Sequence, residues 1–170
     1  MSTVHRVDDR NLLLSLLTGE TDFRGPAAIL EGLSLEQALA KPHNLPHSIA
    51  EIVAHISFWQ EWFNACARDG FTGLVEHAEP GWPTIDPGAW DAVRERCIEA
   101  LEESKRIAAR SDALNEPALP PGVRIPTLAN DSRGSLILRA LIHRDHHLGQ
   151  VVTIRQLLGA WPPPGGSMTW

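Results

Sequence analysis

The chain has 170 residues, 43% of them hydrophobic, the size of one ordinary domain able to bury a continuous core without disulfides. Its formal net charge is −6 and Lys and Arg nowhere cluster, so neither nucleic acid nor an anionic membrane surface is an expected partner. No apolar run reaches the roughly 18 residues that span a bilayer, and Met1 to Leu17 carries acids where a signal peptide has a basic flank; one cytoplasmic domain, 1–170, is expected.

A first helical region covers Val7 to Leu17 and, after Gly25-Pro26, resumes from Ala27 to Leu33, with Pro26 breaking or restarting it. All 13 prolines lie outside three further segments, 47–68, 88–111 and 132–158, which are therefore free to be long helices. The first opens at Ser48, with Glu51 three residues on as in a capping box. Its inward stripe reads Ser48, Ile52, His55, Trp59, Trp62, Cys66, at alternating spacings of about four and three. The second starts at Asp86-Pro87, a helix-start signal, and turns Trp90, Val93, Cys97, Leu101, Ser104 and Ala108 inward. The third is capped at Asp131 or Ser132 and stops at Leu158-Gly159 before a Trp-Pro-Pro-Pro run. Its stripe is Leu136, Ala140, His143, His147, Gln150, Ile154, Leu157.

No segment alternates with the period of a strand, so the pattern predicts an all-α domain of four packed helices. The loops 71–85 and 111–130 are long for a simple bundle and serve either as lids or as crossovers. Cys66 and Cys97 fall on apolar helical positions and lack CxxC spacing, which predicts buried thiols.

The histidines carry the chemistry. His143 and His147 stand four apart, nearly one above the other on a helix, and His55 occupies the middle of another apolar stripe. A neutral imidazole there needs a partner to offset its lost hydration. Satisfied core histidines are the bland alternative, but three at matching depth on two helices favour a metal site. His146, three from His143, could also chelate but sits to one flank of the stripe. His43, His47, His77 and His5 read as surface residues, with His47 a minor candidate for the site's rim. Three imidazoles suit zinc or nickel and leave a coordination position open for water or a small-molecule substrate. Asp145 and Gln150 are candidates to orient an imidazole or a bound water. Trp59 and Trp62 either wall a substrate pocket or belong to the core. Gly149 is a poor helix former at mid-helix, which predicts close packing of a neighbour against the site.

The segments HSIAEIVAHISFWQEW and LIHRDHHLGQVVTIRQLLG resemble the two signature regions of the DinB-like superfamily. The family's histidine before an aromatic-rich turn falls on His55, and its His-x-x-x-His followed by a residue and Gly-Gln falls on His143, His147, Leu148, Gly149 and Gln150. Phe23-Arg24-Gly25-Pro26-Ala27 resembles a motif of one branch. The resemblance implies a four-helix up-down-down-up bundle, a three-histidine divalent metal site and often a homodimer. Among its members are S-transferases using a low-molecular-weight thiol and proteins labelled metal-dependent hydrolases. It therefore implies an enzyme activating water or such a thiol, with a non-catalytic metal- or ligand-binding stress protein as the alternative. The family's usual aromatic before the final histidine is His146 here, a departure at the pocket wall.

Overall fold

The computed structural model describes residues 10–18, 25–71, 73, 81–110 and 112–166. His5, His77, Phe23, Arg24 and the first turn expected from Val7 lie outside the described residues. Among these residues six α-helices follow in order: α1 Arg10–Thr18, α2 Pro26–Leu30, α3 Leu35–Leu39, α4 Ile49–Asp69, α5 Trp90–Arg110 and α6 Arg133–Leu157. Among the described residues there is no strand, only an isolated bridge between Pro117 and Ser132. The fold is an all-α helical bundle of the expected kind. No described helix is long and apolar enough to cross a membrane.

Local signals set the ends of the long helices. Ser48 Oγ accepts from the Glu51 N–H at 3.3 Å while Glu51 Oε2 accepts from the Ser48 N–H at 2.7 Å, closing the capping box. Asp86 Oδ1 accepts from the Gly88 N–H at 2.8 Å, so the Asp-Pro start forms a 3₁₀ turn, Pro87–Ala89, that leads into α5. Ser132, not Asp131, caps α6, through Ser135. Gly159 then takes φ +66°, a left-handed conformation that suits glycine after a helix C-terminus. The short helix α3, opened by its own Ser34–Gln37 capping box, was not expected; five residues are too few for a periodic stripe to register.

α4 is the central helix and packs against both α5 and α6, with α1 laid on α5. The core is divided. One apolar cluster joins Leu13 and Leu17 of α1, Cys66 of α4, Leu101 of α5 and Leu136 to Leu141 of α6. The other joins Ile29 and Leu30 of α2, Ile49 to Ile56 of α4, Cys97 of α5 and Leu148 to Ile154 of α6. Between them runs a polar layer: Ser57, Gln60 and Asn64 on α4, Ser104 on α5, and Arg144 on α6 are all buried. The three histidines stand at the α6 side of this layer.

The stripe expected for α6 is therefore one edge of its buried face, not the centre. The centre runs through Ile137, Leu141, Arg144, Leu148, Val151 and Arg155. Two arginines disguised it, because their charge reads as solvent-facing while their stems pack inward. Arg155 is held by backbone oxygens, donating to Ala160 O from Nε at 2.9 Å and Nη2 at 2.7 Å, and to Glu31 O from Nη1 at 3.0 Å. Leu157, expected inside, is 48% exposed for the same reason.

Candidate metal centre

His55, His143 and His147 come together. One imidazole nitrogen from each lies within 4.8 Å of the other two, the only such three-residue group among the described residues. α4 supplies His55, which is 6% exposed, and α6 supplies the half-buried pair one turn apart. The histidines thus do not share one depth of the core: α6 presents its two at the edge of its buried face, where solvent and ligands have access.

Hydrogen bonds aim the rings. His55 Nδ1 lies 2.5 Å from Gly81 O, an acceptor only, so Nδ1 carries the proton and Nε2 is left with a bare lone pair. His147 Nδ1 lies 2.7 Å from Gln150 Oε1, which fixes its proton in the same way. His55 Nε2 and His143 Nε2 are 3.1 Å apart. At that distance a neutral His143 donates Nε2–H to the bare His55 Nε2, and in the other tautomer its nitrogen joins those of His55 and His147 as a ligand for a shared cation; a carbonyl or amide on the far nitrogen is the usual support of a metal-binding imidazole. Burial first, then the neighbouring His147, His55 and His146, hold His143 down at about 4. Burial also lowers His55 and His147, against the opposing hydrogen bonds from Gly81 and Gln150. All three are neutral at pH 7, the form that binds metal.

The remaining expected residues divide. Gln150 is exposed yet bonded to His147, which fits an orienting role. Asp145 turns outward and pairs with Arg144 Nε at 2.8 Å, with its side chain 56% exposed, so the reading of Asp145 beside the site does not match its placement. The charge of buried Arg144 draws it there. Trp59 stands edge-on to both His55 and His143, with ring centroids 6.4 Å away in each case. Trp62 belongs to the core side, packed on the first apolar cluster and donating Nε1–H to Gly73 O at 3.1 Å. His146 lies beside His147, centroids 5.1 Å apart, and its ring lines the cavity next to the histidines. Gly149 is exposed, and a Cβ built there would meet nothing within 4 Å, so the close neighbour expected at this glycine is not found among the described residues.

Gly81 and Trp82, at the end of the first long loop, supply what no local pattern announces. Trp82 lies between two imidazoles, stacked on His55 at 3.8 Å and 13° and on His47 at 3.7 Å and 10°. Gly81 allows the approach: a Cβ there would fall 2.7 Å from Trp59 Nε1. The Trp-Pro dipeptide after a glycine was the available signal, but nothing local to it announces two partners 27 and 35 residues away. His47, expected at the rim, is the outer slice of this stack.

A cavity of about 660 Å³ opens beside the histidines. His55, Trp59 and Phe63 of α4 form one wall, at intervals of about one turn, and Arg139, Ile142, His143 and His146 of α6 form the other. The cysteines take no part. Both are buried and neither forms a disulfide, and burial pushes the Cys97 thiol up to about 11, which makes it inert at neutral pH.

A family model described as DinB superfamily matches residues 27–151, a span that holds all three histidines. No curated protein and no solved structure matches the chain.

Proposed function

We propose, from the premise that this chain belongs to the DinB superfamily, that His55, His143 and His147 hold one divalent ion in a metal-dependent enzyme acting on a small molecule. The observation that carries this reading is the pair of imidazoles whose Nδ1 protons are committed to Gly81 O and Gln150 Oε1, leaving Nε2 lone pairs turned together. Three neutral imidazoles and no thiolate favour zinc or nickel, with a position left for a further ligand. A divalent ion held by these three imidazoles would stabilise the deprotonated form of water or of a low-molecular-weight thiol and so supply a nucleophile near neutral pH. Transfer of that thiol to a small electrophile, or hydrolysis of a small ester or amide, fits this chemistry.

The chain's own contribution is orientation and exclusion. Gly81 and Gln150 fix two tautomers, Trp82 covers the face of His55, and Trp59 and Phe63 give the reacting molecule an apolar wall. Elemental analysis of the purified protein, joined to a screen of thiol cofactors against a chlorinated aromatic, tests the reading. One equivalent of metal per chain is expected, lost in His143→Ala while helical content by circular dichroism persists. A full equivalent retained by His143→Ala would show that the ligand set is wrong. Metal without any conjugation or hydrolysis would favour the non-catalytic, metal-binding alternative.

A further inference from the structure

The cavity beside the histidines is apolar along most of its length and carries one permanent charge, Arg139. That guanidinium is fixed in place: Nε pairs with Asp131 Oδ2 at 2.6 Å and Nη2 donates to Thr127 O at 2.9 Å. Nη1 has no hydrogen-bond or ion-pair partner among the described residues. No carboxylate is among the cavity's lining residues, so nothing there competes for those two N–H groups. Arg139 precedes His143 by one turn, about 6 Å along the helix axis, and Trp59 and Phe63 face that interval from α4. A half-exposed, pre-positioned guanidinium with a spare nitrogen, set one turn from the histidines and flanked by aromatic rings, matches a particular ligand shape.

We propose that Arg139 recognises a carboxylate, and that the molecule taken up beside the histidines is an organic acid with an apolar, aromatic-sized body. The acid end sits on Nη1 of Arg139, the body lies along Trp59 and Phe63, and the far end reaches the imidazoles. The identity of that far end as the reacting one rests on the metal reading above; the carboxylate site does not. The acid belongs either to a carboxylated thiol or to the second reactant, and the two share this recognition.

Binding of 3-phenylpropionate and 3-phenylpropanamide, followed by tryptophan fluorescence in protein as purified and after chelation, separates these ideas. The acid should bind about tenfold more tightly than the amide in both preparations, a difference of about 1.4 kcal/mol. Arg139→Gln should bring the two ligands within about twofold of each other. Because Arg139 also steadies Asp131, a second variant is needed: Ile142 is 61% exposed on the same wall, so Ile142→Glu leaves the core intact and should weaken the acid alone. Equal affinity for acid and amide, or a preference that survives both variants, overturns the assignment. A preference that vanishes on chelation and survives Arg139→Gln places the carboxylate on the metal and also overturns it. Metal-free protein by elemental analysis would instead sink the metal reading and leave the acid-to-amide ratio as a test of Arg139. In the zinc-loaded protein, a zinc-dependent gain for 4-mercaptophenylacetate over 3-phenylpropionate identifies the acid as a thiol's; no gain identifies it as the second reactant's.

Discussion

α4 buries polar side chains on two faces, and the two are built to opposite ends. Toward α5, Gln60 Nε2 donates to Ser104 Oγ, Ser104 Oγ donates to Asn64 Oδ1 and Asn64 Nδ2 donates to Ala100 O, each at 2.7 Å. Donor meets acceptor along that chain, whose members are buried, and only Gln60 Oε1 is left without a hydrogen-bond partner among the described residues. Toward α6, His55 meets two further imidazoles beside an open cavity: the Nδ1 protons of His55 and His147 are held by Gly81 O and Gln150 Oε1, and His55 Nε2 lies 3.1 Å from His143 Nε2. A polar residue on an inward stripe is thus no evidence of function by itself. What distinguishes the two faces is where their polar atoms lead: the α5 face is a closed chain with Gln60 Oε1 its one unpaired atom, and the α6 face gathers three imidazoles at a cavity that a cation or a small molecule can enter.

This contrast can be broken in order of expected effect. Gln150→Leu removes the acceptor that fixes His147 and should lower metal affinity by about 10–100-fold, read by competition with a chromogenic chelator. Unchanged affinity would mean that His147 needs no orienting partner. Asn64→Ala should cost about 1–3 kcal/mol in urea unfolding, because Ser104 and Gln60 lose their place in the network, while the metal content stays at the wild-type level. If metal were lost with Asn64, the two faces would be one unit.

Proton linkage offers a further separation. His143 titrates near 4 in the folded chain against an ordinary 6.5, so between those values the unfolded chain binds the proton more tightly. Stability of the metal-free protein is therefore full above pH 6.5 and falls as the pH drops toward 4. His55 and His147, also lowered, act in the same direction. The amides and hydroxyl of the α5 face do not titrate and contribute no slope. Melting temperatures of chelated wild type and His143→Gln across pH 7 to 4.5 should diverge, with the variant flatter; parallel curves would show that His143 is not the group responsible. The smallest effect belongs to Gly149→Ala, which should stabilise the protein by about 1 kcal/mol in thermal unfolding, since the added methyl meets only open space on an exposed helical surface. Destabilisation would imply a neighbour on that surface in solution.

Helices were legible in the chain because their signals are local. The segments expected at 47–68, 88–111 and 132–158 form at Ile49–Asp69, Trp90–Arg110 and Arg133–Leu157, with Ser48, Asp86, Ser132 and Gly159 acting within a few residues of themselves. The meeting of His55 with His143 and His147 was also foreshadowed, because two of them share one helix face and the third lies mid-stripe on the helix that packs against it. The depth of the histidines was not. It depends on Arg144 and Arg155 occupying the centre of α6, and the inward placement of a cation is decided by partners such as Ala160 O and Glu31 O. Gly81, Trp82 and Arg139 likewise acquire their roles only through the path of loops and the facing of α4 and α6, which no spacing within one segment encodes. Periodicity and capping act over a turn or two of chain; hydrogen-bond completion, ring stacking and the shape of a cavity act across tens of residues, and only the folded arrangement brings those groups into contact.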